Sequence, residues 1–474
     1  REIGMRKTLG AYRGQLACQL LTESLLAAFI AMVLAILLME FFLPLFNTLS
    51  EKSLALDLFS DSTAVLRLVG IVLIAGLIAG SYPAFVLSGF KPVLALNTSV
   101  SRGMQSVRLR KILVIFQFAA SIVLIIATLV VSNQLSFMRK KNLGFDKEHM
   151  IVIPIRNNAD IRGRFEAIKS ELSKIPAVKN AASSSTVPGR EIPSIVFRPE
   201  GASEKETRSI NTLVVDYDFL ATYNIQLAAG RAFSRDFTTD AQEGFIINEA
   251  AVKNLDWGEA DDAIGKQFTW GWPGKEGRII GVARDFHYNS LHRLVEPVVM
   301  HIQPGWLQYL SLKVETREID RVLSELEKTW QRLVPSRPFD YVFLDENFDR
   351  QYRSEEKLSR LFMVFAELAI FVACLGLYSL AALTAEQRTK EVGVRKVFGA
   401  TVANLVALLS KDFLKLVAIA TIIAWPFAGL VLTRWLQDFA YRISLERNLW
   451  VFALAGGLAL VIALLTVSTQ AVRA

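Results

Sequence analysis

The side chains that could bind a metal ion are few and scattered. Asp285, His287 and His292 are residue types that coordinate metals, but the chain has only four histidines. None of these three stands at the spacing of a known metal-binding motif. We therefore expect them to have loop or packing roles, and we predict no metal site.

Other reactive side chains also lack the partners that catalysis would need. Asp345, Glu346 and Asp349 form a charge cluster typical of a solvated helix, and the serines at 183–185 have no paired base near them in sequence. The sequence contains no G-x-x-x-x-G-K-[ST], so this chain does not hold ATP phosphates by that mechanism. We predict no enzyme and no cofactor. A membrane-anchored enzyme with its active site within 132–360 is the less favoured alternative.

A short charged motif occurs twice. Residues 1–11 read R-E-I-G-M-R-K-T-L-G-A, and residues 390–400 read K-E-V-G-V-R-K-V-F-G-A. A glutamate and an arginine four residues later meet on one helix face, and the glycines permit a turn. One interpretation is basic anchoring at the membrane surface. The repetition favours a cytoplasmic coupling element, formed by Glu2, Gly4, Arg6, Lys7, Gly10, Glu391, Gly393, Arg395, Lys396 and Gly399.

The elements that position these motifs are membrane spans. The chain has 474 residues, of which 52% are hydrophobic and 21% charged, and its mean hydropathy is +0.35. Six stretches reach the length of about 20 residues that a bilayer requires. We predict spans at 22–43, 64–87, 111–131, 361–384, 413–436 and 449–469.

Charge sets the orientation. The loop 88–110 contains Lys91, Arg102, Arg108 and Arg110 and no acidic residue, so we place it in the cytoplasm. Residues 132–360 then form a domain outside the cytoplasm. Much of the net charge of +8 lies in such basic segments beside spans, so we do not expect nucleic-acid binding.

The outer domain has the pattern of an α+β fold. Strands are predicted at 150–156, 178–185, 309–315 and 341–344, and helices at 160–175 and 319–334. The resulting β-α-β and β-α-β units suggest a four-stranded sheet with two helices. Residues 193–303 are predicted to be a β-rich insertion. Residues 346–360 are predicted to be a charged stalk helix that leads into span four.

The repeated motif, together with G-S-Y-P-A at 80–84 and K-P-V at 91–93, resembles the MacB/FtsX-type permeases of ABC transporters. More narrowly, the chain is similar to the long permeases that have two such halves. Residues 365–400 fit the second half closely. The resemblance implies an eight-span protein of which this chain is the C-terminal part. It also implies that the outer domain is Porter-like with a β-rich insertion.

The resemblance implies the following domains: a first coupling motif at 1–21, a first FtsX-like transmembrane region at 22–110, a span at 111–131, a MacB-like core domain with its stalk at 132–360, and a second transmembrane region at 361–474 with its coupling motif at 386–412.

The implied function is that of a permease subunit in the bacterial inner membrane. A separate cytoplasmic ATPase dimer would bind ATP and contact the two coupling motifs. A periplasmic adaptor or lipoprotein is a further implied partner. ATP hydrolysis would move the outer domain and so export or extract a substrate, an action called mechanotransmission. The alternative is an FtsX-like signalling permease that regulates a cell-wall hydrolase without transport.

Overall fold

The structure is a computed structural model. It describes residues 12–50, 52–55, 62–88, 103–155, 161, 163–200, 208–271, 275–315, 318–387, 391, 394, 395, 397–399 and 401–473. Within these residues, six helices are long and apolar enough to cross a membrane. The helices that contain spans one to six are Arg13–Ser50, Ser62–Ser88, Gly103–Lys140, Arg353–Gln387, Val402–Leu436 and Leu449–Arg473. Each predicted span lies inside one of them, so the prediction of six spans is confirmed.

The chain divides into two compact units. The first contains Arg1–Thr128, Lys357–Phe427 and Phe452–Ala474, and the second contains Leu129–Glu356 together with Ala428–Val451. The second unit thus includes the connection between spans five and six as well as the large domain. No feature of the sequence indicated this addition.

Small residues allow the helices of the first unit to approach closely. A Cβ atom on Gly76 of span two would lie 2.9 Å from the side chain of Leu25 in span one, and one on Gly80 would lie 2.8 Å from Ser24. The spacing of Gly76 and Gly80 is that of a G-x-x-x-G packing motif. Between spans three and four, a Cβ on Gly376 would lie 2.5 Å from Oε1 of Gln117. In lipid, close packing of this kind replaces the hydrophobic effect as the force that holds helices together.

The large domain of the second unit is an α+β structure. Its strands are β1 (Met150–Pro154), β2 (Val178–Ser184), β3 (Ser194–Pro199), β4 (Arg208–Val215), β5 (Leu227–Gly230), β6 (Gly244–Asn248), β7 (Gln267–Trp270), β8 (Lys275–Ala283), β9 (Val298–Ile302), β10 (Tyr309–Val314) and β11 (Val342–Phe343). Its helices are α1 (Phe165–Leu172), α2 (Phe219–Thr222), α3 (Asp240–Glu243), α4 (Glu249–Asn254), α5 (Ile319–Leu333) and α6 (Leu344–Asp349).

Four strands form the sheet that the sequence predicts. Their order is β11-β1-β10-β2, and every neighbouring pair is antiparallel. This is the ferredoxin-like arrangement of two β-α-β units. Helices α1 and α5 bury Phe165, Leu172, Leu326 and Trp330 in the core beneath the sheet. Amphipathic helices on one face of a sheet provide the core of such a domain.

The β-rich insertion closes into a barrel. The strand order β4-β3-β7-β8-β6-β9 returns to β4 through a parallel pairing of β4 with β9. Closure leaves no free edges among these six strands, and their inward side chains, including Phe197, Phe245 and Phe268, fill the interior. A pairing between Ser184 and Val215 joins the barrel to the four-stranded sheet.

The segment predicted as a charged stalk helix over 346–360 is helical throughout, within a helical run of Leu344–Glu386. This run contains one 3-10 turn. Helix α6 ends at Asp349, a 3-10 turn covers Arg350–Tyr352, and the helix of span four begins at Arg353. Tyr352 is buried in this turn, and its hydroxyl accepts a hydrogen bond from the backbone N–H of Leu291 at 3.1 Å. One side chain of the stalk is therefore part of the domain core.

Two predicted elements of the domain differ from the structure in their boundaries. The helix predicted over 160–175 has its regular part at Phe165–Leu172, with residues 160 and 162 outside the described part of the chain. The strand predicted over 341–344 is shorter, because Leu344 begins α6.

Candidate functional site

The second copy of the repeated motif lies between spans four and five. Nη2 of Arg395 is 2.8 Å from Oε1 of Glu391, so the two charged side chains form an ion pair across one helical turn. About half of each side chain is exposed. Such a pair stabilises a helix by only about 0.2–0.5 kcal/mol, so its effect on the fold is small.

A sharp turn follows this helical segment. Gly399 has φ +85°, and no heavy atom lies within 4 Å of the position a Cβ would take. Left-handed backbone at this point is what a helix C-terminus requires of its glycine. The Thr401 hydroxyl then accepts a hydrogen bond from the N–H of Asn404 at 3.3 Å, at the start of the helix of span five. The glycine is thus needed for its conformation and not for space.

The turn presents apolar side chains to the surface. Val397 and Phe398 are each 86% exposed, and Val394 is 56% exposed. Apolar residues in so exposed a position beside an ion pair are typical of an interaction site. Sequence reasoning selected the charged residues and glycines of the motif and missed these apolar ones, although the match of Leu9 with Phe398 was a signal for them.

Several predicted site residues fall outside the described part of the chain. They are Glu2, Gly4, Arg6, Lys7, Gly10, Gly393 and Lys396, together with the segment 91–93. The structure therefore describes Glu391, Arg395 and Gly399 among the predicted coupling residues.

The candidate metal ligands have structural partners. Asp285 accepts a hydrogen bond from the N–H of Ala250 at 2.8 Å, at the first turn of α4. Burial lowers the pKa of His287 to about 4, so this imidazole is neutral at physiological pH. His292 lies 2.6 Å from the Ser290 hydroxyl and 3.3 Å from Glu355. The described residues contain no group of three metal-binding side chains.

The remaining candidates also have structural surroundings. Asp349 forms an ion pair with Lys147 at 3.0 Å, whereas Ser183 and Ser184 are fully buried on β2. An open cleft of about 610 Å³ contains Glu296, whose carboxylate accepts hydrogen bonds from Asn211 and Asn289. These contacts hold loops together, and they do not bring a nucleophile to a base.

A buried charge cluster was missed from sequence. Nζ of Lys169, on α1, lies 2.6 Å from Asp216 and 2.8 Å from Asp218, both just after β4. Lys169 and Asp216 are about 95% buried. A hydrogen bond from Arg235 lowers the pKa of Asp218 to about 2, and burial raises the pKa of Asp216. Sequence offered no signal, because the cluster joins three segments that are distant along the chain.

The connection between spans five and six was also missed. Its backbone N–H groups at Ala440 and Tyr441 donate to the carbonyl oxygens of His292 and Leu291, at 3.1 and 3.3 Å. Gln134, near the end of the span-three helix and fully buried, bonds to the same connection. No motif in the sequence marked this segment.

Comparisons with known proteins fit this architecture. The family model described as "FtsX-like permease C-terminal" matches residues 1–92 and 363–474. The family model described as "MacB-like periplasmic core domain" matches residues 112–325. The chain is a MacB/FtsX-type ABC transporter permease. It is a multi-pass membrane protein with a periplasmic α+β domain, as the motifs and the six spans predict.

Individual relatives of this permease are distant. Over 207 residues it is 25% identical to the macrolide export ATP-binding/permease protein MacB of Sodalis glossinidius (strain morsitans), in a match that covers 41% of the chain and 31% of that protein. The chain thus spans about a third of the length of this curated relative.

Two solved structures are also similar to the permease. The periplasmic region of MacB from Actinobacillus actinomycetemcomitans has a TM-score of 0.32 at 13% identity and covers 44% of this chain and 94% of that one. The extracellular domain of the ABC-type transporter YknZ from Gram-positive bacteria has a TM-score of 0.30 at 13% identity, and the match covers 40% of this chain and 97% of that one.

Proposed function

We propose that this permease converts ATP hydrolysis by a separate ATPase dimer into movement of its periplasmic domain, and so exports or extracts a substrate at the bacterial inner membrane. The observation that supports the proposal most directly is the exposure of Val397 and Phe398 beside the Glu391–Arg395 ion pair. The sequence repeat provides an equivalent motif at 1–11, so the chain offers two docking sites for a two-subunit ATPase.

The chemistry of the motif is that of a protein interface. A large apolar side chain that enters a pocket of its partner contributes most of the binding energy, and charged groups at the rim fix the register. Phe398 fits the first role, and Arg395 with Glu391 fits the second. The position of the motif directly before the helix Val402–Leu436 means that a push on the motif acts on span five.

The connection to the outer domain is the second part of the proposal. Spans three and four flank the large domain in sequence, and their helices extend past the apolar segments, to Lys140 and from Arg353. Continuous helices transmit displacement along their axes without melting. A periplasmic adaptor or a lipoprotein would then meet the domain at its outer surface. The substrate itself is not identified by these features.

The test uses co-purification of the permease with its ABC ATPase. We expect Phe398→Glu to weaken ATPase binding by roughly tenfold or more, since loss of a central aromatic contact typically costs 2 kcal/mol or more. Leu9→Glu with Phe398→Glu should abolish binding. The control is Phe237→Glu, which places the same charge on a half-exposed phenylalanine of the periplasmic domain.

Undiminished binding by the Leu9→Glu, Phe398→Glu double variant would show that the motifs are not the docking sites.

A pull-down with the periplasmic domain distinguishes a transport function from a signalling function. Retention of a cell-wall hydrolase, with no movement of any substrate, would contradict the transport part of the proposal.

A further inference from the structure

The connection between spans five and six, residues 437–445, is named here the docking loop. It belongs to the same compact unit as the large domain. Besides its two backbone hydrogen bonds to the segment Leu291–His292, its Phe439 is 2% exposed and stacks on the His292 ring at a centroid distance of 4.4 Å. A surface connection that only joined two spans would not bury an aromatic side chain in this way.

A single glutamine fixes the docking loop to the stalk after span three, which is the part of the span-three helix from residue 132 to Lys140. Nε2 of Gln134 donates to the carbonyl oxygen of Tyr441 at 2.8 Å, and Oε1 of Gln134 accepts from the N–H of Ile443 at 2.9 Å. The Gln134 side chain is fully buried, so both of its polar atoms depend on the loop. Loss of either partner would leave a buried polar group unsatisfied.

The Tyr441 ring adds contacts to the domain. His287 meets it edge-on at 4.6 Å, and Nζ of Lys141 lies 4.5 Å from its centroid. On the other side, His292 lies 3.3 Å from Glu355 in the stalk before span four. The docking loop therefore touches the stalk after span three directly, and it reaches the stalk before span four through His292.

We propose that the docking loop is a second mechanical connection to the periplasmic domain, which transmits movement of spans five and six to the segment 285–294. The inference rests on the proposed function. One helix connects the coupling motif to the docking loop, because Val402–Leu436 begins just after the motif and ends just before the loop. Gln134, Phe439 and Tyr441 are its positioning residues. Movement of the motif then reaches the segment 285–294 through the docking loop, in addition to the path along the helices of spans three and four.

The experiment is hydrogen–deuterium exchange of the full chain in nanodiscs together with its ATPase, with ATP and vanadate or without nucleotide. In the wild type we expect the amides of Ala440, Tyr441 and Ile443 to be protected, and exchange in 285–294 to change with nucleotide. Gln134→Leu removes both side-chain hydrogen bonds. It should raise exchange in 439–443 by roughly tenfold or more and at least halve the nucleotide response of 285–294.

The matched control is Gln331→Leu, the same substitution at an exposed glutamine of α5 whose Nε2 contacts Glu327. It should leave both readouts unchanged. If Gln134→Leu does not assemble, Phe439→Ala tests the same connection, with exchange in β1 and β10 as the check that the domain is folded.

Three results would overturn the inference. Fast exchange of the docking loop in the wild type would show that the loop is not docked, while the proposed function would stand. A nucleotide response of 285–294 that Gln134→Leu leaves intact would show that the loop transmits nothing. A wild-type domain with no nucleotide response at all would refute the proposed function, and the inference with it.

Discussion

Replacement of Lys169 by methionine tests the buried charge cluster. Methionine keeps the apolar length of the side chain but removes the ammonium group. Asp218 retains the guanidinium of Arg235 at 2.8 Å, so its charge stays compensated. Asp216 is only 3% exposed and loses the ammonium that lies 2.6 Å away. The loss of folding stability therefore comes mainly from Asp216, whose charge is no longer compensated.

The magnitude follows from two independent arguments. Breaking a buried ion pair by removal of one partner costs about 3–5 kcal/mol. Alternatively, Asp216 becomes protonated. Protonation of a carboxyl group with an ordinary pKa costs about 4 kcal/mol at pH 7, since each pH unit above the pKa contributes about 1.4 kcal/mol. The two estimates agree. The second also predicts that the cost shrinks by about 2–3 kcal/mol between pH 7 and pH 5, because the proton is then easier to supply.

The assay is urea-dependent pulse proteolysis of the full chain in detergent, with cleavage followed in the periplasmic domain. We expect Lys169→Met to lower the free energy of unfolding by about 3–5 kcal/mol at pH 7, which moves the urea midpoint down by roughly 1–2 M. Lys174→Met is the control, because Lys174 is 67% exposed and its pair with Glu171 contributes less than about 1 kcal/mol. Asp216→Asn added to Lys169→Met should recover part of the loss. Equal midpoints for Lys169→Met and Lys174→Met, or a loss that does not shrink at pH 5, would refute the reasoning.

Three further predictions concern separate contacts. Gly277→Ala should destabilise the barrel by more than about 2 kcal/mol in the same assay, because the added Cβ would overlap the backbone carbonyl oxygen of Glu243; an unchanged midpoint would contradict this. Gly376→Ala should lower the melting temperature of the detergent-solubilised chain, and Gln117→Ala should restore it, since the new Cβ meets the glutamine Oε1 at 2.5 Å; no rescue would mean that the two helices adjust in another way. The pKa of Asp218 is about 2 beside Arg235, below its ordinary 3.8, so its contribution of about 1 kcal/mol is present above pH 4 and is lost as the pH falls to 2. Asp218→Asn should therefore differ from the wild type at pH 6 and approach it at pH 2.

Elements with a strong local pattern were predictable from sequence. The six spans follow from uninterrupted apolar length, and β1, β2, β10, α1 and α5 follow from their apolar periodicity. The ion pair between Glu391 and Arg395 follows from a spacing of four within a helix. Each of these features depends on residues close together in the chain.

Contacts between distant segments were not predictable in the same way. The stalk before span four was expected to be a solvated charged helix, but Tyr352 within it is buried, and its hydroxyl accepts a hydrogen bond from the N–H of Leu291. The exposure of Phe398 became visible only when the turn at Gly399 was seen. Apolar periodicity predicts which face of an element is apolar, but it does not predict which other segment that face packs against.

The sequence by itself determined that the chain is a multi-span membrane protein with one large outer domain and a repeated charged motif, because hydrophobic length, charge asymmetry and repetition are properties of the linear chain. Only the tertiary structure decided that the insertion closes into a barrel, that Lys169 is buried between two aspartates, and that the loop after span five docks on the domain beside Gln134. The physical reason is that each of these features brings together backbone or charged groups far apart in sequence, where single residues give no sign of their partners.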